Sequence, residues 1–307
     1  MSQSTQAPPQ GAPAPKHDDD FNPRTGTRHW IARSFKVLTF LATIAGMVVL
    51  AVLMLDIAID GIPRLNWSFL TTLGSSSPET AGIYSGIVGS VWLISLTALF
   101  AVPLGIGAAI YLEEYAGDNW LNRFVEVNIS NLAGVPSIVY GLLALGIFVN
   151  YLGPLTGGTS IISGAAALSL LILPVIIIAT RESVRAVPDK VREGGYALGA
   201  TKWDVVRGHV LPMALPGAMT GTILALSRAI GETAPLIVVG AAGYLSFTPD
   251  GPRDRFSAIP IQIYEWAKLP QQGWEAVGAA GIVVLLVVLL LMNSIAVTIR
   301  NRSQRHG

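Results

Sequence analysis

The chain has 307 residues, 51% of them hydrophobic and only 13% charged, with a net charge of +1 and a mean hydropathy of +0.55. Soluble domains carry about 25% charged residues, so the composition excludes an ordinary cytosolic enzyme and a disordered scaffold, and the near-zero charge excludes a strong pull toward nucleic acid. With no cysteine there is no disulfide frame, thiolate zinc site or thiol nucleophile, and what remains is an integral membrane protein.

Taken in chain order, residues 1–34 are rich in Gln, Pro, Ala and Ser and turn acidic at Asp18-Asp19-Asp20. Such a segment cannot bury apolar area and is predicted to be a disordered tail. A cleavable signal peptide would begin its apolar region much sooner, so the first span is expected to be retained. A membrane-crossing helix needs about 20 apolar residues, and Val37–Leu55 and Ile83–Leu112 are free of Asp, Glu, Lys and Arg. Asp56 and Asp60 read as solvated charges at the outer end of the first. Val127–Thr180 is uncharged and too long for one crossing. The Gly- and Pro-containing cluster Asn150–Gly158 divides it, giving spans at Asn131–Val149 and Ile161–Thr180. Gly217–Gly240 is the fifth, interrupted by Arg228 and Glu232, and Val277–Ile299 is the sixth. Trp266 and Trp274 suit an interfacial aromatic belt. Gly82/Gly86 and Gly217/Gly221 are spaced for close helix contact. The expectation is an all-α polytopic membrane protein of six helices, with a transmembrane domain over 35–299 and a short tail over 300–307. No repeat of 20–50 residues is present.

Orientation follows from the basic residues. With the N-terminus inside, the inner segments hold fifteen Lys and Arg and the outer segments only Arg64, Arg253, Arg255 and Lys268. That asymmetry places both termini in the cytoplasm. It also places the 181–216 segment inside, with six basic residues: Arg181, Arg185, Lys190, Arg192, Lys202 and Arg207. Within it Pro188-Asp189 starts a helix, Gly199-Ala200 breaks it, and a second amphipathic piece around Trp203 ends at Leu211-Pro212. Two short helices joined by a glycine turn are predicted near the membrane surface.

Arg228 and Glu232 are the chemically informative pair. A charged Arg at mid-bilayer costs about 2.5–3.5 kcal/mol on insertion scales unless paired or hydrated. Glu232, one turn later, partly neutralises it, although Arg before Glu is the less favourable order for the helix dipole. Two readings stand. In one, Arg228 lines a wet passage and offers guanidinium donors to a tetrahedral oxyanion, while Glu232 competes for those donors and permits release. In the other, the pair braces this subunit against a partner. Ser137 and Tyr140 in the third span either face the same passage or bond across helices. The four His residues (His17, His29, His209, His306) are scattered without metal-ligand spacing, so no metal site is expected. No G-x-x-x-x-G-K-[ST] run exists, and the chain is expected to be no enzyme and to hold no cofactor. ATP and Mg²⁺ would be used by another polypeptide.

Glu193-Gly194-Gly195, then Gly199, then His209-Val210-Leu211-Pro212 resembles the EAA loop of ABC-importer permeases, with glycines in place of the two alanines and His209 in place of an aliphatic residue. Asn131–Gly141, Tyr196–Trp203 running into Leu215-Pro216-Gly217, and Ser227–Pro235 are similar to signature segments of the PstA-type permeases of phosphate importers, over roughly Ile83 to Ile299. PstC-type permeases share the Arg-Ala-x-Gly-Glu-Thr element, but the short segment between spans one and two favours the PstA type. The resemblance implies a type I ABC-importer permease fold in a bacterial plasma membrane. It implies as partners a homologous PstC-type permease, two copies of a PstB-type ATPase and an external phosphate-binding protein. It also implies a coupling role for Glu193, Gly194, Gly195, Gly199, Ala200, Lys202, Trp203, Leu211 and Pro212, which would sit in a cleft of the ATPase. The alternatives are a permease for sulfate or molybdate, and a membrane receptor or regulatory module whose inside loop binds a partner.

Overall fold

The computed structural model describes residues 25–303, which among themselves form helices and no strand. Helix α1 (Thr25–Gly61) begins before the expected tail boundary at residue 34, so the N-terminal helix is longer than its uncharged stretch; residues 1–24 lie outside the described part. The described part of the N-terminal region, residues 25–54, belongs to a unit of its own. Between Trp30 and Asp60 no side chain is buried. A helix apolar all round belongs in hydrocarbon or against another helix.

The second unit begins at Leu55. It runs through α2 (Trp67–Thr71), α3 (Tyr84–Ile110), α4 (Trp120–Leu132), α5 (Ser137–Ala144), α6 (Gly153–Thr156) and α7 (Ile161–Arg185). It continues through α8 (Asp189–Ala197), α9 (Lys202–Val205), α10 (Leu211–Ile230), α11 (Ala234–Val239), α12 (Ile259–Ala267) and α13 (Trp274–Ser303). Three π-helical stretches extend these helices: Tyr111–Tyr115 after α3, Leu145–Tyr151 after α5 and Val206–Val210 between α9 and α10. The expected inner tail is thus helical to Ser303, and residues 304–307 lie outside the described part.

The centre of the bundle is α7, which packs on α3 and α10. Its buried side combines small residues (Gly164, Ala165, Ala167) with Leu168, Ile172 and Ile176, so neighbouring backbones approach closely. A Cβ added at Gly105 of α3 would stand 2.6 Å from Ile176 Cγ2. Gly217 and Gly221 likewise abut Ser183 and Ala179, as their spacing predicts.

Among the described residues, five helices are long and apolar enough to cross a membrane: Trp30–Arg64, Tyr84–Tyr115, Ile161–Arg185, Lys202–Ile230 and Trp274–Thr298. Counted as one span, the bent pair Trp120–Leu132 and Ser137–Tyr151, turned through 106°, brings the candidates to six. The third span therefore starts at Ser137 and not at Asn131. Pro136 lacks an N–H and drives the residue before it out of helical geometry, so α4 stops. Val125 and Ile129 of α4 pack on Ala109, Leu112 and Ile177, while Trp120, Leu121, Phe124 and Val127 remain exposed.

The fifth span is also displaced. Leu211-Pro212 does not end the loop helix, because α9, the π-helical stretch and α10 are continuous from Lys202 to Ile230. Pro212 lies in the first turn of α10, where the widened ladder no longer demands its missing N–H. The chain then breaks at Gly231–Thr233, and α11 is a separate short helix. Trp266 and Trp274 are both buried, in a cluster with Phe69, Ile259 and Val277, and form a folded cap instead of an aromatic belt. Trp266 lies 6.1 Å from Phe69 between ring centroids.

Candidate functional site

The loop between α7 and α10 presents one apolar side inward and another outward. Val187, Val205 and Val210 are buried with Val184 and Ala214, and Val191 packs on them. Gly195 is buried because α8 lies against α9 there, a Cβ being 2.6 Å from Val205 Cγ2. This explains one departure from the Glu-Ala-Ala pattern. Gly194 has open space around it. Gly199 turns the chain with φ +80°, the left-handed region that favours glycine. The second helix starts at Thr201, whose side chain and that of Asp204 form a reciprocal cap. Outward, Leu198 is 90% exposed, with Tyr196 and Trp203 exposed beside it. Glu193 and Lys202 are exposed, and Glu193 makes no ion pair among the described residues. An exposed apolar tip flanked by a free carboxylate fits a protein partner.

Beneath this loop lies an ionic network that sequence reasoning missed. Arg181 contacts Glu113 at 3.2 Å and Glu126 at 2.7 Å. Arg185 contacts Glu113 at 2.9 Å, and Arg192 contacts Glu114 at 2.8 Å. The Glu114 side chain is 5% exposed and that of Arg192 16%. Removing one member of so buried a pair costs about 3–5 kcal/mol. The available signal was position, because Glu113-Glu114 and Arg181–Arg185 each end an uncharged run.

Arg228 stands in the last turn of α10 and not in mid-helix. There its charge complements the free carbonyls of the helix end, and Glu232 lies beyond that end, so the expected dipole penalty does not arise. Arg228 Nε donates to Glu232 Oε1 at 3.3 Å. Its side chain is 59% exposed, against 18% for Glu232. Neither Nη atom has a partner among the described residues. Leu224 and Arg228 share the exposed side of α10, while Ala225 and Ala229 are buried with Tyr140. Tyr140 does not open toward Arg228. It is 7% exposed, and its hydroxyl donates to the Leu132 carbonyl at 2.7 Å, satisfying an acceptor freed at the end of α4. Ser137 is half-buried in the first turn of α5. The structure thus brings Tyr140 and the Arg228 helix end together through the Ala225/Ala229 cluster, with Tyr140 in a packing role. The residues expected to couple to an ATPase gather at the opposite end of the continuous Lys202–Ile230 helix. Leu211 and Pro212 lie inside that helix, at the start of α10.

Residues 101–305 match the family described as "Binding-protein-dependent transport system inner membrane component". The chain is 32% identical over 260 residues to the phosphate transport system permease protein PstA of Pasteurella multocida, covering 84% of this chain and 90% of the relative. It is 32% identical over 281 residues to PstA 1 of Mycobacterium tuberculosis, covering 90% of each. It is 34% identical over 251 residues to a probable ABC transporter permease of Bacillus subtilis, covering 77% and 84%. Among solved structures, a bacterial alginate ABC transporter in complex with its alginate-bound periplasmic protein aligns with a TM-score of 0.63 at 15% identity, over 88% of this chain and 93% of that one. That likeness shows the fold. The chain belongs to the binding-protein-dependent permease family as a PstA-type member: a membrane subunit of an ABC importer, and not an enzyme.

Proposed function

We propose that this permease subunit carries inorganic phosphate, delivered by an external phosphate-binding protein, across a bacterial plasma membrane. The single observation that carries the reading is the state of Arg228. One edge of its guanidinium is held by Glu232 and the other edge, both Nη groups, is free on an exposed side. A charge so exposed on one subunit of a membrane protein belongs in a watery passage or against a partner. The free fork suits bidentate donation to a tetrahedral oxyanion. Glu232 keeps Arg228 oriented and competes for its donors, so the anion is held loosely enough to leave. The phosphate named in the PstA relatives supports that anion over sulfate or molybdate. Ser137, beside the bend, is a further contact of the path.

In this reading the permease domain spans residues 35–299, both termini are cytoplasmic, and the partners are a PstC-type permease and two PstB-type ATPases. ATP and Mg²⁺ reside on the ATPase. Glu193, Gly194, Gly199, Lys202 and Trp203 form the coupling surface with the exposed tip at Leu198, and Gly195 and Ala200 hold it together from behind.

The test is ATP-dependent uptake by vesicles containing the complete importer, with phosphate and sulfate in competition. Phosphate uptake is expected to disappear in Arg228→Gln at matched membrane levels and to persist weakly in Arg228→Lys. Normal uptake by Arg228→Gln removes Arg228 from the path. Recovery when Glu232→Gln is added shows that the defect was an unpaired carboxylate and that the pair is a brace. Preferential sulfate uptake overturns the choice of anion.

A further inference from the structure

We propose that the π-helical end of α3, Tyr111–Tyr115, is the joint through which the coupling helices move the membrane bundle, with Glu114 and Arg192 as its positioning residues. Three consecutive side chains there each hold a different element. Glu113 receives Arg181 and Arg185 of α7. Glu114 receives Arg192 of α8. The Tyr115 ring lies under Lys202 Nζ at the start of α9, 5.4 Å from its centroid. Consecutive residues fan out around a helix axis, so one helical turn can reach three neighbours. Single π-helical turns recur where helices do work.

Arg192 is the tightest of these contacts. Its Nε and Nη2 donate to Glu114 Oε1 at 3.0 and 2.8 Å. Nη2 also reaches the Val184 carbonyl at 3.0 Å, and Nη1 reaches the Val187 carbonyl at 2.7 Å and Asp189 Oδ1 at 3.2 Å. A guanidinium has five N–H donors, and these five contacts occupy them. One side chain thus ties α8 to the end of α3, to the Val184 carbonyl of α7 and to the Val187 carbonyl just beyond it. Elsewhere α8 packs on α9 and the π-helical stretch that follows it. Hydrogen bonds weaken steeply with misalignment, so α8 cannot slide without dragging α3 and α7 along. A pair that only stabilised the fold would change how much importer assembles, not how much anion each ATP moves.

The inference rests on the coupling role proposed above, and the experiment separates the two. The complete importer with its binding protein is reconstituted in vesicles, and phosphate uptake and ATP hydrolysis are measured per assembled complex for wild type, Glu114→Gln and Arg192→Lys. Lysine keeps the charge but cannot serve carboxylate and carbonyls in one fork. Both variants are expected to retain and stimulate the ATPase while phosphate imported per ATP falls about tenfold, within the range of typical coupling energies. An unchanged ratio in both variants, whatever their yield, overturns the inference. Failure of the ATPase to be retained by the wild-type permease overturns the coupling role itself.

Discussion

Alanine placed singly at Gly194, Gly195 and Gly199 tests whether the coupling loop is built as described. The three positions face different physics. Gly194 is an exposed position inside α8 with open space around it, so alanine gains helix propensity of about 0.8–1 kcal/mol. At Gly195 the same gain is opposed by a Cβ only 2.6 Å from Val205 Cγ2, and overpacking of that kind costs about 1–3 kcal/mol. Gly199 has open surroundings, but φ is +80°, a conformation that costs a non-glycine residue about 1–2 kcal/mol. The expected order of local stability is Gly194→Ala, wild type, Gly195→Ala, Gly199→Ala. The amides that report it are Gly199 N–H to the Tyr196 carbonyl and Ala200 N–H to the Gly195 carbonyl, at 3.0 and 3.2 Å. Hydrogen exchange of the 196–200 peptide in the assembled importer reads the order directly. One kcal/mol corresponds to about fivefold in protection. Equal protection in Gly194→Ala and Gly195→Ala would refute the α8–α9 contact, and a gain in Gly199→Ala would refute the left-handed turn.

Leu198→Asp is expected to leave thermal stability within about 0.5 kcal/mol, as surface changes do, yet to reduce recovery of the ATPase with the permease about tenfold, the scale of an interface anchor; a thermal melt checks the first and co-purification from membranes the second. Tyr140→Phe removes the bond to Leu132 at the cost of about 1 kcal/mol, and spin labels on α4 and α5 should report a broader distance distribution while phosphate affinity is unchanged. Thr201→Ala dissolves the reciprocal cap, also about 1 kcal/mol, and exchange should accelerate at Asp204 more than at Val191.

Uncharged runs located α3, α7 and α13 within a few residues because hydrocarbon imposes a length and a composition. Gly199 and Pro188 announced the coupling loop for similarly local reasons. The bend between α4 and α5 escaped because hydropathy averages composition and carries no direction, although Gly134-Val135-Pro136 held the signal. The continuous helix through Leu211-Pro212 escaped because a proline near a π-helical stretch loses its power to terminate. Trp266 and Trp274 are buried by α12 folding back on α2 and α13, a tertiary event that no local pattern encodes. The charge network belongs to the same class: Glu114 and Arg192 are far apart in sequence, and only the packing of α3 beside α7 brings their ends together. Arg228 was recognisable as a charge among apolar residues, but its free Nη edge is a property of the helix end at Ile230.

The unbroken run from Lys202 to Arg228 gives the molecule a mechanical ratio. At a rise of 1.5 Å per residue the rod is about 40 Å long, with the proposed coupling surface at one tip and the proposed phosphate donor at the other. Pivoting it by about 10° sweeps the far tip through about 7 Å, so a modest squeeze by the engine would be enough to carry the guanidinium from one side of a bound anion to the other.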